Sequence, residues 1–180
     1  MEIAASWARI DVVLKQHAPE AFTNLAGPVS EGALRELETL LGCALPEGLA
    51  ESLRIHNGQR GTYMTSPFVD HQWLLSTTEI GAQWTMRNEV NEPLDPEWWA
   101  PHYIPFTDSE GNALAVDASS VGAPVRAHVH DEGMLEAALA PGLGDWLKRL
   151  ADALEGGRFR VKDGGIWLQG EDGLALIYGP

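Results

Sequence analysis

The sequence has few cysteines and no long apolar run. Its one cysteine, Cys43, cannot form a disulfide within the chain, which is more typical of a reducing compartment than of a secreted domain. No apolar stretch approaches the roughly 20 residues of a membrane-spanning helix. The N-terminal segment MEIAASWARIDVVLKQH also lacks the pattern of a cleaved signal peptide. We therefore expect a soluble cytoplasmic protein that does not interact with membranes.

Basic residues are also scarce. The chain has 12 Lys and Arg against 26 Asp and Glu, for a net charge of −14. Between Gly61 and Val125 the one basic residue is Arg87. The acids in that stretch are Asp70, Glu79, Glu89, Glu92, Asp95, Glu97, Asp108, Glu110 and Asp117. It also holds four of the seven tryptophans: Trp73, Trp84, Trp98 and Trp99. Such a field repels nucleic acid and attracts a basic partner, although acidic loops can also serve solubility alone.

The common catalytic motifs are missing from the sequence. It has no Gly-rich phosphate loop, no GxSxG elbow and no HExxH helix. His128 and His130 lie two apart on a predicted strand, so their side chains share a face. They could bind zinc or iron if Asp117 or His102 supplied a third ligand. Because that ligand set is incomplete, we expect no metal and no cofactor.

Apolar spacing and capping residues predict a helical N-terminal third. The first helix carries Trp7 and ends before Pro19. Ser30 can cap a second helix, and Gly42 follows its end. Pro46 suits the first turn of a third helix.

The segment after that third helix, His56-Asn57-Gly58-Gln59, has two interpretations. Asn57 and Gly58 readily adopt a left-handed conformation, which predicts a C-cap with His56 in the last turn. A catalytic His56 would need a nucleophile or an acid, and the neighbouring sequence supplies neither. We therefore expect a helix-ending segment in which Gly58 is important and Gln59 contributes little to stability.

The rest of the chain is predicted to be mostly strands with two helices. Ser76 and Glu79 have the spacing of a capping box. The segments HYIPF and NALAVD read as a hairpin, and APVRAHVHD as a half-buried strand. An apolar stripe from Leu143 to Leu154 predicts a strong late helix, and the tail 158–180 reads as a three-strand meander. Helices first and mainly strands later indicate an α+β fold.

The order of these features resembles the SUKH superfamily, of the Smi/Knr type. The resemblance rests on the helix with Trp7, the helix that ends at Gly42, and five later segments. Those segments are LPEGLAESLRIHNGQ, LLSTTEIGAQW, YIPFTDSEGNALAVD, HVHDEG and GLGDWLKRLADALEGG. The best match covers 7–157 of a single predicted domain, 1–180, with 158–180 as a strand-rich extension.

This resemblance implies an α+β domain with a mixed or antiparallel sheet flanked by helices. It also implies that one set of residues maintains the fold as turns, caps and core. These are Trp7, Leu45, Pro46, Asn57, Gly58, Pro105, Gly111, Asn112, Asp117 and Trp146. Bacterial members of the superfamily are mostly immunity proteins that bind a toxin without catalysis, and fungal relatives are scaffolds in cell-wall signalling.

The predicted partner-binding surface combines the acidic charge with tryptophan. Trp98 and Trp99 are adjacent, so on an extended segment one ring points away from the core and can anchor an interface. The predicted surface consists of Asp70, Trp73, Glu89, Glu92, Asp95, Glu97, Trp98 and Trp99.

The function that the sequence predicts is an immunity protein that binds and blocks a cognate bacterial toxin domain with a basic surface. The first alternative is a non-enzymatic scaffold or regulator of the cell-wall-signalling type. The second is a metal-dependent enzyme that uses His128 and His130.

Overall fold

The computed structural model describes residues 2–61, 63–91 and 98–179. These residues form an α+β fold, as predicted. The helices are α1 (Glu2–His17), α2 (Pro19–Asn24), α3 (Glu31–Leu41), α4 (Glu47–Leu53), α5 (Thr77–Val90), α6 (Leu143–Glu155) and α7 (Glu171–Tyr178). The strands are β1 (Trp73–Leu74), β2 (Tyr103–Pro105), β3 (Thr107–Asp108), β4 (Ala113–Asp117), β5 (Val125–Val129), β6 (Gly133–Ala140), β7 (Phe159–Lys162) and β8 (Gly165–Leu168). None of the described helices combines the length and the apolar character needed to cross a bilayer.

The main sheet is antiparallel, with strand order β2-β4-β5-β6. The predicted pairing of HYIPF with NALAVD is confirmed, since Ile104 lies opposite Val116. Strand β6 was not predicted, because its sequence GMLEAALA does not alternate apolar and polar residues. Two shorter ladders, β1-β3 and β7-β8, lie outside this sheet.

Helices α1 and α6 pack together and supply much of the core. Both carry apolar side chains at helical spacing, and Trp7 of α1 and Trp146 of α6 are almost completely buried. Each indole N–H has a partner: Trp7 Nε1 donates to Ser52 Oγ at 2.9 Å. Trp146 Nε1 donates to the Leu176 carbonyl, also at 2.9 Å. The two rings therefore connect α1 to α4, and α6 to α7, without leaving a buried donor unpaired.

The predicted caps of α3 and α5 are confirmed. The Ser30 side chain accepts a hydrogen bond from the Ala33 amide, and Gly42 ends α3 in a left-handed conformation with φ 70°. Ser76 and Glu79 form the capping box that opens α5.

The predicted C-cap at Asn57-Gly58 is wrong. Helix α4 ends at Leu53, four residues before Asn57. Asn57 Oδ1 instead accepts a hydrogen bond from the Thr77 amide at 2.9 Å, across to the start of α5. Gly58 is left-handed, as expected, with φ 69°, and a Cβ there would overlap the Ser76 nitrogen. The segment therefore maintains a close approach between two chain segments.

The predicted C-terminal meander is correct only in its first two strands, which form the β7-β8 hairpin. The third predicted strand is helix α7. Its apolar run LALIY fits either structure, since short apolar runs do not distinguish a strand from a buried helix. Leu176 and Ile177 are buried, and the bond from Trp146 holds the helix against α6.

Candidate partner-binding site

The described residues among those predicted to bind a partner differ in exposure. Asp70, Trp73 and Trp99 are 2%, 6% and 0% exposed, so assigning them to an exposed acidic surface was wrong. Glu89 is exposed and Trp98 is half-buried. The remaining predicted residues, Glu92, Asp95 and Glu97, lie outside the described residues.

Asp70 is buried where the loop before β1 contacts β8, and its side chain holds the two together. Both of its carboxylate oxygens accept from the Leu168 amide, at 3.1 and 3.2 Å. Burial raises the pKa of Asp70 to about 6, although the Leu168 N–H and the charge of Arg160 oppose that shift. Asp70 therefore has a structural role here.

Trp99 belongs to a buried polar group that we call the Arg87 cluster: Arg87, Asp108, His128 and Trp99. Arg87 Nη2 lies 3.1 Å from Asp108 Oδ1, and Arg87 Nη1 lies 2.9 Å from His128 Nδ1. The guanidinium also stacks over the Trp99 ring at 5.1 Å. The one basic residue of the acidic stretch is therefore in the interior.

Sequence reasoning missed this cluster, although one signal was available. Ile80, Trp84 and Arg87 are spaced i, i+4 and i+7 on α5 and share its inward face. An arginine on a face that is otherwise apolar needs a buried acidic partner. Nothing local identifies that partner as Asp108, which lies 21 residues away.

His128 is neutral in this environment. Burial, followed by the nearby charge of Arg87, lowers its pKa to about 4. Its Nδ1 can therefore accept the hydrogen bond from Arg87. The Trp98 and Trp99 rings contact the imidazole edge-on, with centroid separations of 4.7 and 5.3 Å.

The two histidines considered as metal ligands face different environments. His128 is buried, whereas the His130 side chain is 60% exposed. The two candidate third ligands are close to each other, with His102 Nε2 3.9 Å from Asp117 Oδ1. Asp117 pairs across the sheet with Tyr103, and His128 pairs with Ala113, at the other end of β4. Within the described ranges, no three His, Cys, Asp or Glu side chains are grouped so as to hold a metal ion.

The residues that the resemblance assigns to maintaining the fold make local contacts. Asp117 accepts from the Ser119 and Ser120 hydroxyls at 2.6 and 2.9 Å. Asn112 Oδ1 accepts from the His130 amide at 2.9 Å. Gly111 has φ 100° in the turn between β3 and β4. Pro46 is the N-cap of α4, and Leu45 and Pro105 are buried.

His56 is likewise held by structural contacts. Its Nδ1 lies 3.0 Å from the Ala26 carbonyl and its Nε2 lies 3.1 Å from Asp11 Oδ1. Burial opposes the charged ring, but the Asp11 carboxylate and the Ala26 carbonyl outweigh that effect and raise the pKa of His56. The His56-Asp11 salt bridge therefore connects the segment after α4 to α1.

Gln59 has a larger role in stabilising the fold than its position in the sequence indicates. It is 3% exposed, its Oε1 accepts from the Leu74 amide at 3.0 Å and its Nε2 donates to the Ser66 carbonyl at 3.0 Å. The expectation that Gln59 contributes little to stability does not agree with these two bonds. The side chain joins β1 to the loop that precedes it.

That loop forms one wall of an open cavity of about 730 Å³ between α2 and the β7-β8 hairpin. We call it the aromatic groove. Its lining includes Glu20, Tyr63, Met64, His71, Trp73, Asp163 and Trp167. Four of these side chains form a continuous row of rings. The centroid separations are 4.9 Å for Tyr63 to Trp73, 6.0 Å for Trp73 to His71 and 4.5 Å for His71 to Trp167.

The groove has two further features of a binding site. Tyr63 has a positive φ angle of 62°, and such a non-glycine residue costs of order 1–3 kcal/mol and is common at functional sites. The positive φ angles of His71 and Asp163 belong to two-residue turns between antiparallel segments, where they are usual. Met64 and Tyr63 are 88% and 46% exposed, so apolar surface is available to a partner. The charged side chains in the lining, Glu20 and Asp163, are both acidic.

Comparison with known proteins identifies the family. The SMI1 / KNR4 family (SUKH-1) matches residues 28–149. Over 120 residues the chain is 34% identical to a protein of Neurospora crassa named "Glucan synthesis regulatory protein"; this alignment covers 66% of the chain and 21% of that protein. Over 82 residues it is 35% identical to a "KNR4/SMI1 homolog" of Yarrowia lipolytica, covering 46% of the chain and 12% of that protein.

The alignments thus span about a fifth or less of the length of these two relatives. The match to the family itself extends over more than half of the chain and includes α3 through most of α6. The chain belongs to the SMI1 / KNR4 family (SUKH-1).

Proposed function

We propose that this chain is a non-catalytic, cytoplasmic protein-binding domain of the regulatory or scaffold type. The observation that carries the proposal is its family membership, together with a relative named as a regulator of glucan synthesis. Regulation by docking requires an accessible surface and a rigid scaffold, and needs no reactive group.

The use of the polar side chains supports a role without catalysis. Candidate acid, base and ligand groups such as Asp117, His56 and Asn112 are bonded to neighbouring backbone or side-chain atoms. His128 is closed off beneath tryptophan rings. These groups contribute to the fold; Asn112 and His128 share a cavity of about 290 Å³, which Asp117 and His56 do not line.

The aromatic groove supports docking of a protein. Tyrosine, tryptophan and methionine side chains anchor many interfaces, and here they stand beside the carboxylates Glu20 and Asp163. The charge of −14 on the whole chain favours a partner with a basic surface and increases its association rate at low salt.

The proposal is tested by isolating the partner and measuring its affinity. The tagged chain is purified from its own cells after crosslinking, the partner is identified by mass spectrometry, and the dissociation constant is measured with purified proteins. The variant Tyr63→Ala/Met64→Ala is expected to bind about tenfold or more weakly. Val12→Ala/Val121→Ala removes two exposed apolar side chains elsewhere and should bind normally. Equal affinities for both variants would show that the partner docks outside the groove.

A second candidate, toxin immunity, is favoured by the excess of acidic residues. A surface with this charge can occupy the basic substrate groove of a toxin that acts on nucleic acid. Co-expression with the product of each adjacent gene tests this function. Rescue of growth by the wild-type chain, together with a stable complex, supports immunity; unchanged toxicity of every neighbouring product argues for the regulatory function.

A further inference from the structure

A second open groove lies between α3 and α5 and shares no lining residue with the aromatic groove. Its volume is about 490 Å³. On α3 it is lined by Ala33, Glu36, Leu37 and Leu40, and on α5 by residues including Gly81, Met86 and Glu89. Residues 33, 36, 37 and 40 follow the i, i+3, i+4, i+7 pattern of one helix face. The groove is therefore a channel between two helices, with one face of α3 as a wall.

Gly81 determines the depth of this channel. A Cβ at Gly81 would lie 2.7 Å from Leu40 Cδ2 and 3.6 Å from Leu37 Cδ1. The absence of that Cβ lets α3 and α5 approach closely at the floor of the groove. Side chains further along both helices then form its walls.

Two apolar side chains of the groove walls are partly exposed. Leu40 on α3 is 50% exposed and Met86 on α5 is 41% exposed. Scattered exposed apolar residues are ordinary, whereas apolar side chains that face one groove bordered by polar residues are typical of an interaction surface. Methionine is common in grooves that accept helices because its side chain adapts to the occupant.

The charge of the groove indicates what kind of occupant it fits. Its charged lining residues, Glu36 and Glu89, are both acidic. Among the described residues, no lysine or arginine forms an ion pair with either. The exposed Arg35 on α3 interacts electrostatically with Glu31 and does not line the groove. A second copy of this chain, which carries −14, fits an acidic groove poorly.

We propose that the α3-α5 groove binds a cationic amphipathic helix of a partner protein. Leucine-like side chains at i, i+3, i+4 and i+7 of that helix contact Leu40 and Met86, and its lysines or arginines lie beside Glu36 and Glu89. Helix α5 has 14 residues, about 21 Å at 1.5 Å per residue, so the channel accommodates roughly four turns. This surface goes beyond the aromatic groove and does not depend on it.

The probe is a fluorescent synthetic peptide of about 14 residues, or four turns, with leucines on one helical face and lysines on the other. A scrambled peptide of equal composition, whose leucines do not share a face, is the control. Fluorescence anisotropy measures the affinity of the full chain for each peptide. The amphipathic peptide is expected to bind at least about tenfold more tightly than the scrambled one.

Matched variants locate the binding. Leu40→Gln/Met86→Gln is expected to weaken binding about tenfold or more, whereas Val12→Gln/Val121→Gln removes two apolar side chains that are 61% and 104% exposed elsewhere and should bind within about twofold of wild type. Circular dichroism melts check that both variants fold.

Charge is tested in the same way. Glu36→Gln/Glu89→Gln should weaken binding and flatten its salt dependence, while Glu132→Gln/Glu136→Gln, at exposed positions outside the groove, should change neither. The proposal is overturned if the wild-type chain does not bind, if the scrambled peptide binds equally, or if groove and control variants weaken binding alike. A wild-type dimer that the groove variants dissociate would also overturn it, because the occupant is then a second copy.

Discussion

The Arg87 cluster and the aromatic groove bring similar residue types together and use them differently. Each combines aromatic rings, a histidine and charged side chains. Arg87 and Asp108 are 2% exposed at their side chains, whereas Met64 in the groove is 88% exposed. Both regions are built from sequence segments that contain acidic residues as well as tryptophan. The comparison teaches that this co-occurrence does not distinguish a core from an interface.

The difference between the two regions follows from what each polar group contacts. In the cluster, Arg87 donates to Asp108 and His128, and rings of Trp98 and Trp99 cover the imidazole. In the groove, Glu20 and Asp163 line an open cavity. We therefore expect substitutions in the cluster to change stability, and substitutions in the groove to change binding.

The largest expected effect is that of Arg87→Met, which removes the cation and leaves the Asp108 carboxylate buried. Losing one partner of a buried ion pair typically costs about 3–5 kcal/mol, and we expect a loss of that size in chemical denaturation. Arg35→Met, at an exposed site on α3, is the control and should stay within about 0.5 kcal/mol of wild type. Similar losses for both variants would contradict the structural role of the cluster.

The next effect depends on pH and concerns His128. Its pKa is about 4 in the folded protein and about 6.5 in the unfolded chain. Between these values the unfolded chain binds a proton that the folded protein does not. The stability that this group contributes is therefore fully present above about pH 6.5 and is lost as pH falls towards 4. The loss is roughly 3 kcal/mol.

The variant His128→Gln keeps an acceptor for Arg87 and removes this titration. Its free energy of unfolding should fall less steeply than that of wild type between pH 6.5 and 4. His17→Gln, at an exposed position on α1, should follow the wild-type profile. Parallel profiles for all three proteins would show that His128 is not held neutral by its surroundings.

A smaller effect is expected for Gln59→Ala, at the boundary between core and groove. The variant leaves the Leu74 amide and the Ser66 carbonyl without their side-chain partner. An unsatisfied buried group costs about 1–3 kcal/mol, and thermal melts should register a loss in that range. Gln16→Ala on α1, at an exposed position, should have almost no effect. A Gln59→Ala protein as stable as the Gln16→Ala protein would restore the expectation drawn from the sequence.

The smallest effect on stability is expected in the groove itself. Met64→Ala should change the free energy of unfolding by no more than about 0.5 kcal/mol, because the side chain is 88% exposed. Its affinity for the identified partner should nevertheless fall by about 1–2 kcal/mol, measured by calorimetry. A variant that loses stability but keeps affinity would assign Met64 to the fold.

Features that depend on nearby residues were predictable from the sequence. The Ser30 and Gly42 caps, the Ser76-Glu79 capping box and the apolar stripe of α6 each lie within one helix. Their chemistry is local, so composition and spacing are sufficient. The α+β class follows from the order of these elements.

Features that depend on distant contacts were not predictable. Asn57 bonds to Thr77, 20 residues later, and Asp70 bonds to Leu168, 98 residues later. In the groove the His71 ring lies between the Trp73 and Trp167 rings and contacts both. Nothing in the sequence of either segment indicates that they meet. Trp73 was predicted as a partner-binding residue, and it lines the groove although it is mostly buried.

The most direct test of the account is hydrogen exchange of the chain with and without its identified partner. Exchange rates of individual backbone amides report which segments a partner covers or stabilises. Binding through the aromatic groove predicts slower exchange at residues 63–66, at His71 and at 163–167, which line it or join its lining residues. Slower exchange confined to other segments, with unchanged rates along the groove, would contradict the central claim.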